Sequence, residues 1–124
     1  MANPPAVLMV ELVMSIDRMI QSAQSANEKQ SHLVIPGEWP AQVVLGHVSQ
    51  VDEQVWMPRI AQMCHALEAG EKPPSFTWWE PDANATYDRF SEMSLSEASA
   101  LAMSVRTQLL SVVKDLTPAQ WAAT

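Results

Sequence analysis

The residues able to do chemistry are few, and their spacing decides what they can do. The histidines are His32, His47 and His65, and the single cysteine, Cys64, stands beside the last of them. A thiol next to an imidazole suggests a nucleophile with its base. On a helix, however, sequence neighbours do not face each other. Cys64 is therefore read as a small buried hydrophobe, and a lone cysteine excludes an internal disulfide. His47 lies in the stretch PGEWPAQVVLGHVSQVDEQVW, a few residues inside an apolar helix, beside Gly46 and after Trp39–Pro40. A metal centre needs several ligands converging from different elements. His65 lies 65 − 47 = 18 residues further on, ~27 Å along a continuous helix, and does not converge with His47. His32 belongs to the connection before Pro36. His47 is thus expected at the rim of the core, with Gly46 letting another backbone come close.

Other residues are candidates for the same end of the molecule. Asp52 and Arg106 flank apolar stripes and could line a cleft; the simpler expectation is a surface-edge ion pair, worth under ~1 kcal/mol. Trp39, Trp56, Trp78 and Trp79 could line that cleft as well. Trp78–Trp79, with Phe76 and Tyr87, would form either an aromatic wall over it or a packed cap on the bundle end. The methionines, Met9, Met14, Met19, Met57, Met63 and Met103 among them, read as core filling, with adaptable interface contacts second. Glycine-rich phosphate loops, nucleophile elbows and paired interior carboxylates are missing from the sequence.

The elements that position these residues read as helices. Prolines and glycines at Pro4–Pro5, Pro36–Gly37, Pro40, Gly70 and Pro73–Pro74 divide the chain, and strand alternation is poor throughout. HLVIP is read as an extended connection. A first helix is expected from about Pro5 to Ala26, with Met9, Leu12, Ile16, Met19, Ala23 and Ala26 on its inward stripe. A second starts at Trp39–Pro40, proline suiting the first helical position. Its stripe Val44, Val48, Val51 and Val55 slips by one residue to Trp56, Ile60, Met63 and Leu67. Pro58 lies at the slip and should kink the helix; Gly70 suits its left-handed cap. A helical turn or two is expected after Asp82. A long third helix follows, opened by a Ser94–Glu97 capping box, with Leu95, Ala98, Ala102, Val105, Leu109, Val112 and Leu116 keeping a three-four rhythm. Thr117–Pro118 restarts a helix.

Residues 1–124 are expected to form one all-α domain, an up-down bundle of three long helices plus the start of a fourth. At 48% hydrophobic residues the chain can supply a core. A formal charge of −7 with dispersed acids disfavours nucleic acid. The apolar N-terminal run is interrupted by Glu11, Asp17 and Arg18, which argues against a signal peptide or membrane span. A soluble cytoplasmic protein is the expectation.

IPGEWPAQVVLGHV resembles the Trp-Ser/Pro…His signature that opens the second helix of DinB-like (DinB/YfiT) four-helix bundle proteins. EPDANATYDRFSEMSLSEASALAMSVRTQLLSVVKDLTPAQW is similar to that family's linker, Arg-containing third helix and Leu-Thr…Trp entry to the fourth. The likeness runs from about Leu33 to Trp121. It implies a bundle with a cleft at one end, often holding a divalent metal bound by three histidines, and in some members thiol-dependent transferase or isomerase chemistry. His47 matches the family's second-helix ligand. The other two ligands come from a His-x-x-x-His pair on the fourth helix, and this sequence contains no such pair.

Three functional expectations follow. The first is a DinB-like bundle with its fourth helix absent, which buries uncovered stripes of its third and first helices as a homodimer and holds no cofactor in a single chain. The second is an enzyme, a transferase or hydrolase, with a divalent metal (Zn, Ni or Fe) at a composite site using His47 with His32 or Asp52 from either subunit. The third is a small-molecule binding module with a tryptophan-lined cleft.

Overall fold

The computed structural model describes residues 4–25 and 36–122. His32, Ala26 and the HLVI part of the expected connection lie outside them. Among the described residues all regular structure is helical: α1 (Pro4–Gln24), α2 (Ala41–Val51), a π turn (Asp52–Trp56), α3 (Met57–Ala69), α4 (Ala83–Phe90), α5 (Leu95–Lys114) and the short α6 (Pro118–Trp121). None of these helices is long and apolar enough to cross a membrane.

Local signals account for the boundaries. Asp82 caps α4 by accepting from the Ala85 N–H at 3.0 Å. Ser94 and Glu97 close a reciprocal capping box on α5, and Thr117 with Gln120 does the same for α6. Each satisfies N–H groups that a helix start otherwise leaves unpaired. Gly70 ends α3 at φ 68°, a conformation that costs glycine nothing.

Helix α5 is the centre of the bundle and packs against both α1 and α2. Its Leu95, Ala98 and Ala102 meet Ile16 and Ile20 of α1 and Leu45 of α2 in one buried cluster. Two alanines on this face let the helix axes approach closely, since interaxial distance follows side-chain size. Val105, Leu109 and Val113 continue the buried face. The expected rhythm of this helix therefore holds to Leu109 and then passes to Val113, leaving Val112 exposed. The stripe expected to be uncovered on this helix is for the most part covered. On α1, the other helix expected to leave apolar surface uncovered, Val7, Leu8, Val10, Val13, Met14 and Met19 are all exposed and Ile16 and Ile20 are the buried positions.

The inward face of α2 also departs from expectation. Gln42, Val43, Leu45, Gly46 and Ser49 are buried, whereas Val44 is exposed and Val48 and Val51 are half-buried. The reason is that α2 is covered from two sides, by α5 and by α4. Gly46 is the contact with α4: a Cβ there would be driven into the ring of Phe90, the largest fully buried side chain. A side chain, rather than a backbone, makes the close approach. Buried polar groups on this face have partners of their own. Gln42 Nε2 donates to the Ser91 carbonyl at 3.1 Å, and Ser49 Oγ donates to the Gly46 carbonyl at 2.6 Å.

The one-residue slip near Pro58 is taken up by the π turn. The Met57 N–H donates to the Asp52 carbonyl, five residues back. Proline at 58 has no N–H to offer the carbonyl four residues before it, so an α-turn here would lose a bond in any case. The extra residue rotates everything that follows. On α3 only Ala66 is buried, and the expected stripe of Trp56, Ile60, Met63 and Leu67 is exposed at Trp56 and Leu67 and half-buried between them.

Candidate functional site

Two clusters of the expected site residues separate in space. One is interior. Arg106 on α5 donates from Nε to Asp52 Oδ2 at 2.6 Å and from Nη2 to Asp52 Oδ1 at 3.3 Å. Its remaining nitrogen, Nη1, donates to the Leu12 carbonyl at 2.7 Å and to Ser15 Oγ at 3.2 Å. Arg106 is 7% exposed and Asp52 2%. A planar guanidinium matches a carboxylate with two parallel bonds, and here its third edge reaches α1. Asp52 and Arg106 are therefore not a surface-edge pair. They form a buried knot joining α1, the π turn and α5. A charge pair removed from water holds only when its bonds are nearly all satisfied, and four hydrogen bonds meet that condition.

The other cluster is open. A cleft of about 320 Å³ is lined by His47, Val51, Val55, Trp56, Arg59, Trp78, Trp79, Glu80 and Pro81. Asp52, although beside Val51, points inward through the π turn and does not line it. Trp39 backs His47 from the other side: its ring meets the imidazole edge-on, with centroids 5.1 Å apart. Trp79 lies nearly parallel to the imidazole, at 6.2 Å and 13°. Trp78 is 85% exposed at the mouth, and its Nε1 donates to Glu80 Oε1 at 3.1 Å.

The loop that carries these tryptophans, residues 71–82, has no helix of its own and is tied down by Arg59. Its Nη2 donates to the Thr77 carbonyl at 2.8 Å, and its guanidinium sits 4.9 Å over the Phe76 ring. Cation over ring adds attraction to the hydrogen bond. Together they hold Trp78 and Trp79 beside α2 and α3. Tyr87 stands apart, exposed on α4.

His47 has a defined polar neighbour. Its Nδ1 lies 3.3 Å from Gln50 Oε1, one turn along α2, and the buried Thr86 hydroxyl of α4 donates to that same oxygen at 3.2 Å. Gln50, Arg59, Glu80 and Thr86 were not singled out from the sequence. The spacing of His47 and Gln50 (i, i+3) was the one available signal, and it is common on any helix.

The remaining candidates do not join the cleft. Cys64 is half-buried rather than buried, and His65 is exposed; both lie on α3. None of Met9, Met14, Met19, Met57, Met63 and Met103 is buried, so these methionines fringe the core instead of filling it.

An all-α bundle whose second helix opens on Trp39–Pro40, and which holds a half-buried histidine against tryptophans, defines a class of helical bundle domain. A family model for the DinB superfamily matches residues 11–124, and the chain belongs to that superfamily. No match was found among curated proteins or among solved structures. The resemblance carried by His47 implies a metal, and the donor set bears on whether one would fit. Among the described residues no three His, Cys, Asp or Glu side chains converge. His47 is engaged by Gln50, Trp39 and Trp79, none of them a charged donor. The described residues do not fit a three-ligand metal site.

Proposed function

We propose that this DinB-superfamily bundle is a small-molecule binding module whose ligand enters the cleft between α2, α3 and the 71–82 loop. The observation that carries the reading is the convergence of His47, Trp56, Trp78 and Trp79 on one cavity, with Arg59 and Glu80 at its edge. Ligand pockets are concave, mostly apolar and furnished with a few placed polar groups, and this one has that make-up. Rings dominate the walls, so a flat ligand is the best fit. Intrinsic tryptophan fluorescence against a panel of flat aromatic compounds tests it. A saturable change that is lost in His47→Ala and Trp79→Ala is the expected result. An emission spectrum unmoved across the panel would rule the reading out.

A second reading concerns assembly, and a separate observation favours it. Val7, Val10 and Met14 recur at three- and four-residue spacing on α1, so these exposed apolar residues share one face instead of lying scattered. We infer that a second copy covers this helix in solution, since each valine or methionine fully removed from water contributes about 1.5–3 kcal/mol. Sedimentation velocity at micromolar concentration should show a dimer that Val10→Glu with Met14→Lys converts to monomer. A wild-type monomer under those conditions disposes of it.

A further inference from the structure

The polar groups around His47 constrain what the cleft binds, and this inference rests on the small-molecule reading above. Gln50 Oε1 is an acceptor with two neighbours, the Thr86 hydroxyl at 3.2 Å and His47 Nδ1 at 3.3 Å. Thr86 is 1% exposed, so its hydroxyl has little access to water and depends on this bond. A carbonyl oxygen that accepts from the threonine has a second lone pair for a second donor. Neutral imidazole carries one N–H, and the hydrogen bond made by one nitrogen decides which. With the proton on Nδ1, Nε2 keeps its lone pair. Among the described residues Nε2 has no hydrogen-bond partner, and the imidazole forms part of the cleft wall.

We infer that Gln50, braced by Thr86, is a positioning residue that holds His47 as the Nδ1–H tautomer, and that the cleft accepts flat ligands offering an N–H or O–H donor to Nε2. Trp39 and Trp79 flank the imidazole and restrict rotation of the ring. The opposite turn of the Gln50 amide makes a distinct prediction. Its NH₂ group would then donate to both neighbours, Nδ1 would be the acceptor, and the ring would present an N–H to the ligand.

Long-range proton–nitrogen correlation spectra of the full chain, recorded on the neutral imidazole, read the tautomer without any ligand. His47 should show a protonated Nδ1 in the wild type. Gln50→Leu should lose that preference, and Gln50→Glu, which keeps the acceptor, should restore it. A wild-type Nε2–H signal, or an unchanged Nδ1–H signal in Gln50→Leu, overturns the positioning role. Phenol and anisole then test the donor requirement by shifts of the tryptophan indole resonances. Phenol should bind about tenfold more tightly, as expected for one hydrogen bond to a partly desolvated acceptor. Equal binding overturns the donor requirement. Binding by neither overturns the small-molecule reading for this class of ligand, and the donor requirement with it. The tautomer assignment is still decided by its own spectrum.

Discussion

Asp52 and His47 stand five positions apart (52 − 47) on one continuous run of helix, yet their surroundings are opposite. Asp52 faces Arg106 across the bundle and is sealed from solvent, its charge met by two bonds from the guanidinium. His47 lies half-buried against rings, with one polar neighbour and one nitrogen left over. The difference shows how the same helix serves two ends. A buried pair with every edge occupied has nothing to offer a ligand and acts through stability. A half-open ring contributes little to stability, and under the proposed reading its second nitrogen is the group a ligand meets.

That contrast is open to direct attack, and the largest effect should come from the interior. Arg106→Leu leaves Asp52 buried and unpaired, and should cost about 3–5 kcal/mol in a urea titration. The double variant Asp52→Leu with Arg106→Leu should recover most of the loss, because a buried ion pair is commonly replaceable by apolar groups. A single variant as stable as the parent would mean that the knot does not hold the three elements together.

A smaller effect is expected where α4 meets α2. Gly46→Ala places a methyl group in the Phe90 ring, and overpacking of this kind costs about 1–3 kcal/mol. Thermal denaturation should report the loss, and Phe90→Leu in the same background should relieve part of it. Without any loss, the seating of α4 against Gly46 would be wrong, and the Thr86–Gln50 bond would lose its support.

The smallest effect on stability belongs to His47. His47→Ala should leave the unfolding free energy within about 1 kcal/mol of the parent, while the emission of Trp39 and Trp79, which flank the ring, shifts. A loss as large as that from Arg106→Leu would erase the distinction between the two clusters.

Much of this architecture can be read from residue order, because the signals act locally. Asp82, Ser94 and Thr117 cap helices through bonds to N–H groups three residues away. Gly70 ends one through a backbone angle other residues avoid, and the slip in rhythm before Pro58 marks the π turn. Family membership is legible for the same reason, since it rests on the order and spacing of such signals around Trp39, His47 and Trp121. Tertiary structure alone decided which faces turned inward and what each polar group met. Burial of α2 follows the surfaces that cover it, so Gln42, Gly46 and Ser49 went in while Val44 stayed out. Pairing of Arg106 with Asp52 spans 54 residues, and that of Thr86 with Gln50 spans 36. Hydropathy periods cannot encode contacts at those separations, because a period records only which residues share a face. Which other element that face meets is settled by packing the whole chain at once.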